Sequence, residues 1–139
     1  IKRSYPHAKW MVENVGYARP GDSLKSANSF VRHRGHLEMA FRALDIEVEW
    51  ITPNVWMLEF LGDAKPKFTL EEVQAYANGD EKEQEALLLK LKNRRKTAIH
   101  KKVSEIFSNF TVYKYAADAI GIFHVLHQRT YNNASPKKN

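Results

Sequence analysis

Two carboxylates in apolar surroundings constrain this chain more than any other feature. Glu13 follows Trp10, Met11 and Val12 and precedes Val15, in a run that reads as a strand. Asp118 stands among Tyr115, Ala116, Ala117 and Ala119, at the first turn of an apolar helix. A carboxylate drawn out of water in either setting loses hydration free energy unless a cation or hydrogen-bond donors offset the loss. A divalent metal would offset both, so the pair is a candidate metal site. Each also has a purely structural explanation: Glu13 can point off an edge strand into water, and Asp118 can favour its helix N-terminus through the macrodipole. The residues between them decide which explanation carries weight.

Punctuation and periodicity divide those residues into elements. Lys9 to Ala18 reads as a strand, and Arg19-Pro20-Gly21-Asp22 as a turn. A helix is expected over Ser26 to Leu44, with Phe30, Leu37, Phe41 and Leu44 near one face. Ile46, Val48 and Trp50 alternate with Glu47 and Glu49, the pattern of a half-buried strand, which ends at Pro53. A short helix from Asn54 to Leu61 turns Trp56 and Phe60 inward, with Gly62 available to end it.

Asp63 to Lys67 is a linker, and Thr69-Leu70-Glu71-Glu72 has capping-box spacing for a helix running to about Asn78, with Gly79 past its end. Asp80 and Glu83 repeat the cue for a helix from Asp80 to about Phe107. Phe110, Val112 and Tyr113 form an extended link to a closing helix from Ala116 to about His127, and the tail from Asn132 to Asn139 is polar. Strand, helix, strand and then helices is the order of an α/β layered domain. Asp63 to about Lys92 reads as a helical insertion within one domain over 1–131, because roughly thirty residues cannot bury an independent core.

Composition narrows the chemistry. A chain of 139 residues with 43% hydrophobic content is of single-domain size and globular. It has no cysteine, which excludes disulfides, thiolate metal sites and cysteine nucleophiles and leaves carboxylates and histidines as ligands. Oxygen donors suit Mg²⁺ or Mn²⁺. His33 with His36, and His124 with His127, have helical spacing but no accompanying zinc motif. No GxxxxGK[ST] loop is present, so nothing points to nucleotide hydrolysis. With no long apolar run and no secretion pattern, a cytoplasmic location away from membranes is the simplest expectation.

The net charge of +6 favours a polyanionic partner, and its distribution favours a nucleic acid. Between Glu85 and Glu105 there is no acidic residue, while Lys90, Lys92, Arg94, Arg95, Lys96, Lys101 and Lys102 fall in that gap. Leu88, Leu91, Arg95, Ile99 and Ile106 lie near one side of the expected helix, which places Lys92, Lys96 and His100 on a separate stripe able to meet phosphates. A solvated helix face is the plainer alternative.

Five stretches in order resemble the RuvC family of Holliday-junction resolvases, particularly its divergent phage-type members. Val12-Glu13-Asn14-Val15 resembles that family's acidic strand, and Asp22-Ser23-Leu24-Lys25-Ser26 with Arg34-Gly35 its next loop and helix. The stretch from Ile46 through Pro53 to Trp56 resembles the following strand and proline-to-tryptophan signature. Arg95-Lys96-Thr97-Ala98-Ile99 resembles the basic helix start, and Ala116-Ala117-Asp118-Ala119-Ile120-Gly121-Ile122 the closing acidic helix. Two positions depart from the pattern. The family's first aspartate lies on a strand that would precede Ile1, and Tyr115 stands where an acidic residue or histidine commonly precedes the last aspartate.

The resemblance implies an RNase H-like mixed sheet flanked by helices, in which Glu13 and Asp118 meet as metal ligands. It implies a metal-dependent endonuclease that cuts branched DNA such as Holliday junctions, as a homodimer, with Mg²⁺ or Mn²⁺ as cofactor. Two such ions held ~3.5–4 Å apart activate the attacking water and stabilise the leaving oxygen. Lys96 matches the family's lysine near the scissile phosphate, so the implied catalytic residues are Glu13, Asp118 and Lys96. Phosphate contacts are expected from Arg19, Lys25, Arg32, Arg34, Lys92, Arg94, His100 and Lys101, and Tyr17 stands near the family's junction-opening aromatic. Without the upstream aspartate, these 139 residues alone are expected to bind branched DNA and cut it poorly. The alternatives are a non-catalytic branched-DNA-binding protein on the same fold, or an RNase H-like nuclease acting on flaps or hybrids.

Overall fold

Parallel pairing of two four-residue strands organises the first part of the chain. In the computed structural model, which describes residues 8–14 and 24–134, β1 (Trp10–Glu13) pairs with β2 (Val48–Ile51) in the register Trp10 to Val48 through Glu13 to Ile51. The Asn14 N–H donates to the Ile51 carbonyl at 2.7 Å, extending the ladder by one rung. Parallel strands cannot be joined by a tight turn, and α1 (Leu24–Ala43) makes the crossover. Alternation places Trp10, Val12, Val48 and Trp50 on one face of the pair and Met11, Glu13, Glu49 and Ile51 on the other. Phe41 of α1 lies 6.3 Å from the Trp10 ring and 6.5 Å from the Trp50 ring, so the helix covers the first face.

α1 closes in a Schellman motif. The Asp45 N–H donates to the Arg42 carbonyl and the Ile46 N–H to that of Phe41, with Asp45 in the left-handed region at φ 52°. This turn corrects the expectation that Leu44 belongs to the apolar face: the helix has already ended at Ala43, and Leu44 is 59% exposed. The expected strand and helix order holds. Of the expected strand over Lys9 to Ala18, residues 10–13 pair, while 15–18 lie outside the described residues.

The chain divides into two compact units, residues 1–56 and 57–139, with the boundary inside α2 (Pro53–Leu61). A single 3₁₀ turn, Gly62–Ala64, ends α2, and Gly62 takes φ 58°, which a side chain would resist. The second unit continues with α3 (Leu70–Asn78), α4 (Glu81–Ile106) and α5 (Ala117–Ala134). Both capping boxes form as the spacing predicts: Thr69 with Glu72, and Asp80 with Glu83. Gly79 ends α3 for want of space and not for a left-handed turn. Its φ is −80°, and a Cβ there would meet the Ala75 carbonyl oxygen at 2.7 Å. α5 runs well beyond the expected end at His127, so the polar tail is helical as far as Ala134.

Phe60, Leu61, Leu91, Ile99, Val103, Ala117 and Val125 form the buried core of this unit. Of the residues expected near one side of α4, Leu88 and Ile106 are 42% and 40% exposed; the buried seam is Leu91, Ile99 and Val103. Phe60 meets the His124 ring edge-on at 5.6 Å, while Lys102 donates to the Phe60 carbonyl and sits over its ring. Burial first, then Lys102 and His127, push the His124 pKa down. Arg129 of α5 forks onto Glu59 of α2. The architecture is mixed α/β and mostly helical, with one two-stranded parallel sheet among the described residues.

Glu72 ties α3 to α4. It is buried, with a relative exposure of 8%, and accepts from the Thr69 N–H, from Arg94 at 2.7 Å and from Lys90 at 3.0 Å. The Thr69 hydrogen bond first, then the two cations, hold its pKa down to about 2 from the ordinary 4.5. A depressed carboxylate stabilises the fold above its unfolded value and loses that contribution as pH falls through its folded value. Glu72→Gln is therefore expected to lower the melting temperature at neutral pH. The gap from the parent should close between about pH 4.5 and 2 in thermal melts followed by circular dichroism.

Candidate metal and nucleic-acid site

Glu13 ends β1, at the carboxyl edge of the parallel pair, where open α/β sheets place their ligands. It is half-buried, and its Oε1 accepts the Trp56 indole N–H at 2.8 Å. Trp56 is 1% exposed, so its N–H must find a partner within the protein, and Glu13 is that partner. The position follows from the sequence: Pro53 starts α2 immediately after β2, and Trp56 lies one turn into the helix. A carboxylate has about four acceptor positions, so one indole bond fixes its orientation and leaves capacity for a ligand. The expectation that Trp56 turns inward holds. Its role as the donor that orients Glu13 was not anticipated, although a buried indole always raises the question of its partner.

Asp118 is the second residue of α5, half-buried, between the buried Ala117 and the exposed Ala119. Helix geometry places it where backbone dipoles favour a negative charge. Glu13 lies in the first unit and Asp118 in the second. Tyr115 does not pack at the helix start: it is 85% exposed and stacks on Tyr113, with ring centroids 5.5 Å apart.

The basic residues of α4 divide sharply. Lys90 and Arg94 are held by Glu72. Arg95 Nε donates to the Pro66 carbonyl at 3.3 Å, and burial, then Arg94, lower its pKa. Lys102 is taken up by Phe60, and Lys101 stands 4.0 Å from Glu105. Lys92 and Lys96 are exposed, with no ion pair or hydrogen bond found for either among the described residues. His100, third on that stripe, bonds the Val112 carbonyl through Nε2 at 2.9 Å; a carbonyl only accepts, so Nε2 carries the proton. Arg94 was expected on DNA, but Glu72 occupies it. A capping-box carboxylate keeps acceptor capacity beyond its backbone bond: Glu72 Oε2 accepts from both the Thr69 N–H and Arg94, and Oε1 meets Lys90.

In the first unit, Arg32 is exposed on α1, and the Arg34 guanidinium lies 5.3 Å from the Trp50 ring centroid. Tyr17 and Arg19 lie outside the described residues, as does the side chain of Lys25. His33 is exposed on α1 and His36 is exposed one turn further on. No described helix is long and apolar enough to cross a membrane.

Comparisons with protein-family models, with curated proteins and with solved structures each find no match. The division of the α4 cations makes the expected nucleic-acid contact of Lys92 and Lys96 testable. Replacing Lys92 and Lys96 together with alanine is expected to weaken DNA binding irrespective of sequence. It should also reduce the slope of log affinity against log salt by up to ~0.9 for each phosphate no longer neutralised. The melting temperature should stay close to that of the parent, because exposed substitutions have small effects on stability. Unchanged affinity and slope in anisotropy titrations over a range of salt would remove the stripe from the binding surface.

Proposed function

We propose that this protein is a metal-dependent endonuclease for branched DNA, of the RuvC-like kind, on an RNase H-like fold and acting as a homodimer. The observation that carries the reading is the hydrogen bond from the buried Trp56 indole to Glu13 at the carboxyl edge of the parallel strands. It joins two positions, the acidic strand and the tryptophan after the proline, that the sequence resemblance singles out independently.

The donor chemistry of Glu13 and Asp118 supports an oxygen-ligated divalent ion, although no group of three or more carboxylates or histidines gathers at one place among the described residues. Glu13 is oriented by a neutral donor that does not compete for its charge, and Asp118 is half-buried where a helix start favours a carboxylate. Glu13 and Asp118 would hold Mg²⁺ or Mn²⁺, which would supply the water activation and charge stabilisation that phosphodiester hydrolysis needs. Trp56 holds Glu13 in one orientation and excludes water from its inner side. Lys96, exposed and without a protein counterion among the described residues, is available to neutralise the scissile phosphate, and Lys92 a neighbouring one. A two-fold dimer presents two equivalent sites to a four-way substrate that is itself nearly symmetric.

Asp118→Asn in the full-length protein tests this reading, with a synthetic four-way junction and linear duplex as substrates in Mg²⁺ or Mn²⁺. The parent should nick the junction in preference to duplex. Removing a hydrogen-bond partner of a metal ligand costs roughly 10–100-fold, which is the effect expected for Trp56→Phe, and removing the ligand's own charge should cost more. Asp118→Asn should therefore abolish cutting while junction affinity is retained. Cutting that survives both Asp118→Asn and EDTA would defeat the metal mechanism. A protein that binds junctions and never cuts them would instead be the non-catalytic binder.

A further inference from the structure

The loop between α4 and α5 presents its aromatic rings to solvent. Phe110 is 72% exposed, Tyr113 59% and Tyr115 85%. Tyr113 and Tyr115 lie nearly parallel, 12° apart, with centroids at 5.5 Å, so the rings overlap only in part and Tyr115 keeps an open face. Large aromatic surfaces are ordinarily drawn into the interior, and three on one short loop require another explanation.

Flexibility does not supply it. The Phe110 N–H donates to the Phe107 carbonyl at 3.0 Å, His100 of α4 donates to the Val112 carbonyl at 2.9 Å, and the Ala116 N–H donates to the Tyr113 carbonyl at 2.9 Å. The loop is thus fixed at its start, middle and end, and the rings stand on an anchored backbone. Lys114, exposed, lies between the two tyrosines in sequence. The middle anchor, His100, is one helical turn from Lys96 and two from Lys92, about 5.4 Å of helix axis per turn. The aromatic loop is therefore tied at Val112 to the helix stripe that carries Lys92 and Lys96.

Exposed rings on a loop tied to a cation-bearing helix match a nucleic-acid strand whose bases are unstacked, the bases taking the rings and the phosphates the lysines. A duplex offers no free base faces, and an apolar protein segment would leave the cations without counterions. We propose that residues 110–115 form a stacking platform for unpaired nucleotides, with the open face of Tyr115 as its principal contact and Lys96 and Lys92 as the phosphate track. The proposal rests on the nucleic-acid reading above and extends it from duplex arms to unpaired bases.

Fluorescence anisotropy with a labelled thymidine 12-mer, and with a blunt duplex of the same length, tests it on the full chain. Tyr115→Ala should weaken single-strand binding about tenfold or more, the scale of stacking one base on one aromatic ring. Duplex affinity should stay within about twofold, because duplex binding is electrostatic. Tyr115→Phe keeps the ring and should bind the 12-mer as the parent does. Single-strand affinity that is unchanged by Tyr115→Ala, or equally reduced by Tyr115→Phe, would overturn the platform. So would unchanged strand affinity accompanied by loss of self-association in sedimentation velocity, which would assign the loop to a second copy of the chain. Junction cutting that fails while the tyrosine effect persists would sink the nuclease reading alone, and a tyrosine-insensitive protein that still cuts junctions would sink the platform alone.

Discussion

The parallel pairing of β1 with β2 is the constraint on which the first unit depends. Two strands running the same way cannot share a hairpin, so the chain must cross over through α1, and Phe41 then seals the face carrying Trp10 and Trp50. With that face covered, alternation leaves Glu13 on the other, at the strand end. β2 then passes directly into α2 through Pro53, which brings Trp56 back to Glu13. A one-residue slip in register would move Glu13 to the face covered by α1 and leave the buried indole N–H without this acceptor. The strand register and the carboxylate's orientation are consequently one constraint.

In the second unit the organising theme is competition for cations. α4 carries a dense run of positive charge, and the fold takes up most of it: Glu72 holds Lys90 and Arg94, the Pro66 carbonyl holds Arg95, and Phe60 holds Lys102. These pairs tie α2, α3 and the segment between them to α4, and they separate structural charge from charge that remains available. Lys92 and Lys96 are available, on the stripe that leads to the His100 anchor of the aromatic loop. The binding potential of this helix is thus narrower and more directional than its net charge suggests.

Local signals in the sequence were legible where short-range chemistry determines the outcome. The Thr69 and Asp80 capping boxes formed as spaced, because each depends on residues three apart and on nothing distant. The alternation of Val48 and Trp50 with Glu49 also appears as read, as does the inward turn of Trp56 and Phe60. Signals that depend on tertiary partners were less legible. Leu44 lost its place on the helix face to a left-handed Asp45, and Leu88 and Ile106 fell outside a seam whose position depends on which helices pack against α4. Arg94 looks like any other cation of the block until Glu72 is placed beside it. Tyr115 stands beside alanines of an apolar helix start, and only its 85% exposure in the fold shows that the ring stands outside.

The proposal that Glu13 and Asp118 are metal ligands can be tested without any substrate. Traces of Mn²⁺ titrated into isotopically labelled protein broaden the NMR signals of nuclei near a bound ion. The account predicts selective, Mg²⁺-reversible broadening of the Trp56 indole N–H, which Glu13 accepts, and of the Ala117, Asp118 and Ala119 amides. Broadening spread evenly over the surface, or absent from both groups, would contradict it; broadening at one group alone would strike the other carboxylate from the ligand set.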